Sequence, residues 1–213
     1  VLLCPRGSAP VVSCVTYVLA GFGDEGAGEA GFANLLARME LSRSGAAADF
    51  PARAWTEAFG CVAGPDGTTS AITLPANHLE AWAASEAARL QGFPQDGFAA
   101  ARKAILDELD THCVSASFGW LYAHLMRHAF GPNGYGHPLL GRRADVANAT
   151  PATLTAFHRA HYTPGRTFLA IVGGFDLDAA MAALQRRLGT WSAGEAALKA
   201  PATAGPDGER QLD

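Results

Sequence analysis

The segment Glu29–Leu41 constrains the fold most, because its apolar residues recur with helical spacing. One stripe of an amphipathic helix would hold Phe32, Leu35, Leu36 and Met39, at positions i, i+3, i+4 and i+7. Asn34 and Arg38 lie four residues apart, so their side chains project together from another face, with Ala37 beside them. The segment therefore predicts a helix that buries one face and presents an amide and a guanidinium on the other.

The remaining patterns predict an α+β domain. Strands are expected at Val1–Cys4, Val11–Leu19, Cys61–Ala63, Thr68–Leu74 and Thr167–Gly173, each apolar or β-branched and bounded by Gly or Pro. Further helices are expected at Pro51–Phe59, Asn77–Gln91, Gln95–Val114, Ser117–Ala129, Pro151–His161 and Asp176–Leu188. Strands combined with blocks of helices indicate one antiparallel-rich sheet covered by helices, a two-layer sandwich.

Composition excludes several classes of protein. With 213 residues and 49% hydrophobic content the chain can bury a sizeable core. A net charge of −4 without a basic run argues against nucleic acid as a partner. No apolar stretch approaches the roughly 20 residues of a membrane span, so we expect no transmembrane segment.

The helix Glu29–Leu41 resembles the zinc-binding helix of the pitrilysin/insulinase metallopeptidases, the inverzincins. That helix carries H-x-x-E-H in the context Gly-Leu-Ala-His-x-x-Glu-His-Met. In this chain Asn34 stands at the first His position, Ala37 at the Glu and Arg38 at the second His. The surroundings of the motif match the family, while the three residues that perform its chemistry differ.

Other segments resemble the family in the same order along the chain. They are Thr73–Glu80, Arg89, Ala129–Pro138 with Gly141, Thr150–Pro164 and Leu169–Asp176. The resemblance implies a domain of the mitochondrial-processing-peptidase-like type. One segment departs from the family: Phe59–Thr69 lacks the Asn that helps active relatives to hold the substrate backbone.

The three substitutions remove the chemistry that the family performs. Asn34 is at best a weak neutral ligand, and Arg38 stays protonated and has no lone pair for a metal. Ala37 cannot act as the base that takes a proton from zinc-bound water, a role worth about 10²–10⁴-fold in rate. We therefore predict no catalytic residue, no tightly bound metal and no cofactor, although active relatives use zinc.

The resemblance places one surviving ligand. The segment Ala104–Leu109 is similar to the helix from which relatives supply a third zinc ligand, and it puts Glu108 at that position. The alternative is an ordinary solvated carboxylate. We call Asn34, Ala37, Arg38 and Glu108 the vestigial site, and we expect Arg38 and Glu108 to form an ion pair there.

Three functions are compatible with these residues. The leading interpretation is a pseudoenzyme, a non-catalytic subunit or half that contributes chamber wall and peptide-binding surface to an active zinc peptidase of the same family. The first alternative is a zinc-dependent metalloendopeptidase with displaced ligands. The second alternative is a structural or assembly module without a peptidase partner.

The domain boundary is expected near residue 191. Residues 1–191 would form the pitrilysin/insulinase-type N-terminal domain, and residues 192–213, rich in Ala, Pro and Gly, would form a linker towards a second, similar domain. The chain opens directly in a strand without an initiating Met. The compartment is therefore unassigned, and bacterial cytoplasm and periplasm both fit.

The remaining His, Gly and Cys residues favour structural interpretations. His124 and His128 have metal-ligand spacing, but no carboxylate stands in register, so we expect one to face the core and the other the surface. Glu108 and His112 are also four residues apart and could form half of a metal site, but a structural role is favoured for them as well. We expect His137 and His158 to pack or form hydrogen bonds, the Gly-rich segment 21–28 to be a turn, and all four cysteines, Cys4, Cys14, Cys61 and Cys113, to be buried free thiols.

Overall fold

The structure is a computed structural model that describes residues 1–7, 10–44, 60–92, 95–115, 117–131 and 134–191; within these, the side chains of 41–44 and 112–120 are not described. These residues form five strands and seven α-helices. In chain order they are β1 Leu2–Pro5, β2 Val11–Val18, α1 Phe32–Ser44, β3 Gly60–Ala63, β4 Thr68–Pro75, α2 Leu79–Gln91, α3 Phe98–Ser115, α4 Ser117–Phe130, α5 Arg143–Asn148, α6 Pro151–His161, β5 Thr167–Gly173 and α7 Leu177–Leu188.

The five strands form one sheet in the order β1-β5-β2-β4-β3. Three neighbouring pairs are antiparallel, whereas β1 and β5 are parallel. The prediction of an α+β fold with an antiparallel-rich sheet is thus confirmed, and the sheet is mixed. A parallel pair needs a long crossover connection, which the chain between β1 and β5 supplies.

Helices cover one face of the sheet, as the alternation along β2 shows. Val12 and Cys14 are buried against helices, while Val11 and Ser13 on the other face are exposed. The apolar stripe of α1 lies at most 2% exposed in the larger core cluster, which also contains Ile105 of α3. Burial of this stripe fixes the orientation of α1 and therefore the direction in which its other face points.

Several predicted bounds match the structure. β5 and α6 have the expected limits, and Thr150 caps α6 because its Oγ1 accepts from the backbone N–H of Thr153 at 3.1 Å. Helix α1 begins three residues later than expected, after Gly31 at φ +108°. Helix α5 was not predicted. The predicted helix Pro51–Phe59 and the linker 192–213 lie outside the described residues.

No helix among the described residues is both long and apolar enough to cross a membrane.

Candidate functional site

The vestigial site lies where α1 meets the edge strand β3 on one side and α3 on the other. Ala33 and Ala37 of α1 pack against Cys61 and Ala63 of β3. Small side chains at these positions allow the helix to approach the strand closely. Arg38 follows Ala37 on the helix surface, so its side chain points towards α3 and away from β3.

Arg38 and Glu108 form the ion pair that the sequence predicted. Arg38 Nη2 donates to Glu108 Oε2, and the two side chains are 30% and 28% exposed. Neighbouring acids of α3 behave differently: Asp107 pairs with Lys103 on its own helix, and Asp110 pairs with Arg143 at 2.9 Å. Glu108 is therefore turned towards α1 and is a partly exposed carboxylate paired with Arg38.

Asn34 and Ala37 complete the four positions. Ala37, which the resemblance aligns with the family's base, is 2% exposed and presents only a methyl group. The Nδ2 atom of Asn34 is buried, and no other described residue accepts a hydrogen bond from it.

The donor set at these positions does not fit zinc. A zinc ion needs lone-pair donors, and catalytic sites have three from the protein. Here the one carboxylate already accepts from a guanidinium, and the amide presents a buried N–H group. Elsewhere in the described part of the chain, no three His, Cys, Asp or Glu side chains are grouped so that they could hold a metal.

A buried charge network lies behind the vestigial site, on the core side of α1. Arg89 of α2 donates through Nε to Glu86 at 2.9 Å, and the same atom lies 3.5 Å from Glu40 of α1. Thr16 donates to Glu86, and Arg89 also contacts Ser70 at 3.4 Å. We call Thr16, Glu40, Ser70, Glu86 and Arg89 the buried network, and it ties α1 and α2 to the sheet.

Burial and charge shift the pKa values around this network. Burial opposes the charge on Arg89, yet the carboxylates of Glu86 and Glu40 raise its pKa well above the ordinary value. Burial, followed by the charge of Arg89, lowers the pKa of His158 to about 4. Neutral His158 donates from Nε2 to the backbone oxygen of Arg89 at 3.1 Å. The imidazole therefore supports the network without adding charge to it.

Glu25 holds the N-terminal end of α1 and was not predicted. Its carboxylate accepts from the backbone N–H groups of Gly31 and Ala33, both at 2.9 Å, and from His137 Nδ1 at 3.3 Å. Burial raises the pKa of Glu25, and the hydrogen bonds oppose this shift. An acidic residue shortly before a helix, inside a Gly-rich turn, was the available signal for such a cap.

Other predictions have mixed outcomes. His137 and His158 are buried hydrogen-bonding groups, as expected. Cys14 and Cys61 are buried free thiols, as expected, but Cys4 is only partly buried. The expectation that one of His124 and His128 faces the core is wrong, because α4 exposes both rings. The side chains of His112 and Cys113 lie outside the described residues.

A separate apolar groove lies at the opposite edge of the sheet. It encloses about 360 Å³ between β1 and α7 and is lined by Val1, Leu3, Leu177, Met181, Leu184 and Gln185. Strand β1 is four places from β3 in the sheet, so this groove is remote from the vestigial site.

Comparison with known proteins gives one family match and several similar structures. Residues 148–212 match the family described as the peptidase M16 inactive domain. No curated protein matches the chain. Among solved structures, the first half of the periplasmic protease PqqL from Escherichia coli is 19% identical with a TM-score of 0.75, and the match covers 94% of this chain and 46% of that one.

Two further structures show the same fold. A protease from Helicobacter pylori is 16% identical with a TM-score of 0.74, covering 93% of this chain and 50% of that one. The peptidase M16 inactive domain from Pseudomonas fluorescens is 21% identical with a TM-score of 0.73, covering 92% and 49%. This chain thus spans about half the length of each. It has the fold of one part of these proteins, and its residues 148–212 match the family described as the peptidase M16 inactive domain.

Proposed function

We propose that this chain is a non-catalytic half or subunit of a pitrilysin/insulinase-type zinc peptidase, and that it supplies chamber wall and peptide-binding surface to an active partner. The observation that supports the proposal is the ion pair between Arg38 and Glu108, the two residues that the resemblance aligns with zinc ligands of active relatives. The protein would be a pseudoenzyme in a heterodimer.

The chemistry of the vestigial site supports a non-catalytic role. Peptide hydrolysis by this family needs a metal that lowers the pKa of water and a base that accepts its proton. Arg38 is cationic and repels a divalent ion, and Ala37 has no group that accepts a proton. Glu108 neutralises Arg38 and is no longer available as a ligand.

The edge strand β3 supports a role in binding peptide. Within the part of the chain that the structure describes, β3 pairs with β4 on one side only. Its other edge carries backbone N–H and C=O groups that can receive an additional strand. Val62 is 68% exposed on this strand, so an added peptide would find an apolar side chain beside it.

Similar structures support the partnership. The chains that share this fold are about twice as long, and one of them is titled as the first half of a protease. A domain of this type is therefore one part of a longer chain in those proteins. By analogy we assign the partner of this chain to the same family.

Peptide binding without cleavage is tested with a fluorescein-labelled peptide, Lys-Thr-Val-Thr-Val-Thr-Lys, and a counterpart with N-methylated alternate amides. Fluorescence anisotropy should show saturable binding of the first peptide and at least about 10-fold weaker binding of the second, since N-methylation blocks strand pairing. Mass spectrometry after incubation with zinc should find both peptides intact. Cleavage would favour the metalloendopeptidase alternative. Equal binding of both peptides would exclude pairing with the edge strand β3 as the mode of binding.

The partnership is tested by co-expression with a family member from the same genome that retains H-x-x-E-H, sought first among the neighbouring genes. We expect the two chains to co-purify with 1:1 stoichiometry and the peptidase activity of the homologue to depend on this chain. A fully active homologue that never associates with it would leave the assembly-module interpretation as the better one.

A further inference from the structure

We propose that α4 carries a binding site for a divalent late transition metal, Cu²⁺, Ni²⁺ or Zn²⁺, formed by His124 and His128. The site is separate from the vestigial zinc position, and it stands whether or not the proposed peptidase-subunit function is correct.

The geometry places both imidazoles on one open face of a helix. The residues are four apart on α4, both side chains are exposed, and the ring centroids lie 6.4 Å apart with planes inclined by 32°. Leu121 and Leu125 share this face and are 54% and 53% exposed, so solvent reaches the rings from the side. Small rotations about the side-chain bonds would bring one nitrogen of each ring to the roughly 2.0–2.1 Å that a metal requires.

Two imidazole ligands favour one class of metal ion. Imidazole nitrogen favours late transition metals, among which Cu²⁺ binds most strongly, whereas Ca²⁺ and Mg²⁺ prefer oxygen ligands. His128 lies in the last turn of α4, where the helix dipole favours a cation, and the neighbouring Arg127 partly opposes this effect.

The site supplies two protein ligands. No third His, Cys, Asp or Glu completes a metal-binding group within the described residues, so water fills the remaining positions. An ion held in this way binds more weakly than one in a closed four-ligand site, and its open positions allow a ligand from another molecule to coordinate. We therefore expect an accessible, exchangeable site and not a structural metal.

Isothermal titration of the untagged protein with CuCl₂ and with ZnCl₂ tests the proposal. Wild-type protein should bind about one equivalent of Cu²⁺, and His124→Ala and His128→Ala should each weaken binding by at least about 10-fold. The composition-matched variant Leu125→His/His128→Leu keeps two histidines at adjacent positions, which do not face each other, and should weaken binding equally. All substituted positions are exposed, and circular dichroism checks that each variant remains folded.

Two controls make the result decisive. His78→Ala removes a histidine outside α4 and should leave Cu²⁺ affinity unchanged, and MgCl₂ should give no heat of binding. The proposal is overturned if wild-type protein shows no saturable binding of Cu²⁺ or Zn²⁺. It is equally overturned if the spacing variant binds as tightly as wild type, or if His78→Ala weakens binding as much as His124→Ala.

Discussion

Arg38 and Glu40, both on helix α1, meet opposite charges in different surroundings. Arg38 pairs with Glu108, and the two side chains are 30% and 28% exposed. Glu40 lies near Arg89 in the buried network, where the two side chains are 9% and 6% exposed. The two regions are two residues apart in sequence and differ mainly in their access to water.

This difference in exposure predicts which ion pair can be substituted at a small cost in stability and which cannot. A partly exposed pair is screened by solvent, so it contributes little and its residues can be replaced at small cost. A buried pair that loses one partner leaves an uncompensated charge in the core. The resemblance assigns the family's zinc ligands to the first region, and the second region ties α1 to α2 and the sheet.

The largest expected effect is the return of metal binding at the partly exposed region. Asn34→His with Arg38→His would place two imidazoles opposite Glu108, three ligands in the family arrangement. We expect zinc binding with a Kd below about 1 μM, or about 8 kcal/mol, whereas the unmodified site should bind no zinc. Equilibrium dialysis measures it, in a His124→Ala/His128→Ala background so that α4 does not contribute.

Glu108→Ala added to that variant is the matched control and should weaken zinc binding at least about 10-fold. Equal affinity with and without Glu108 would show that the two helices do not form the family's ligand set.

Substitution in the buried network should have the next largest effect. Arg89→Met keeps the volume of the side chain but leaves Glu86 and Glu40 without their cation, so the free energy of unfolding should fall by about 3–5 kcal/mol. Urea denaturation measures the loss. Arg186→Met removes an exposed partner of Glu80 and should cost less than about 1 kcal/mol. Similar losses for the two variants would contradict the expected difference between buried and exposed ion pairs.

Stability should fall as pH decreases, because His158 is buried in its neutral form. The folded-state pKa is about 4 and the unfolded value about 6.5, so only the unfolded state takes up this proton between those values. Between pH 7.5 and pH 5 this residue should remove about 2 kcal/mol of stability.

The measurement compares urea unfolding of wild type and His158→Gln at both pH values. The variant should show a smaller decrease on acidification, by about the same 2 kcal/mol. Parallel pH profiles would mean that His158 becomes protonated in the folded protein.

Arg38→Ala should have the smallest effect. The pair with Glu108 is about 30% exposed, so water can solvate the remaining carboxylate, and we expect a loss of about 1 kcal/mol. Thermal unfolding with circular dichroism is sufficient to detect it. A loss as large as that of Arg89→Met would place the vestigial site in the same class as the buried network.

Local signals predicted much of the fold. The apolar spacing of α1 predicted its buried stripe, and Thr150 with Pro151 predicted the start of α6, since caps and proline act within a few residues. Helix α5 escaped prediction because it has six residues and no apolar periodicity. The parallel pairing of β1 with β5 was also missed, because strand direction in a sheet depends on the long connection between them.

The candidate site divides in the same way. The sequence by itself determined which groups stand at the vestigial positions and that they cannot perform zinc hydrolysis, because the chemistry of Asn, Ala and Arg side chains does not depend on the fold. The resemblance also predicted that Glu108 meets Arg38, but only the tertiary structure decided how far that pair is exposed, that Glu25 caps α1 and that Arg89 lies buried between two carboxylates. These contacts join residues on separate elements, and packing of the core sets their distances and their access to water.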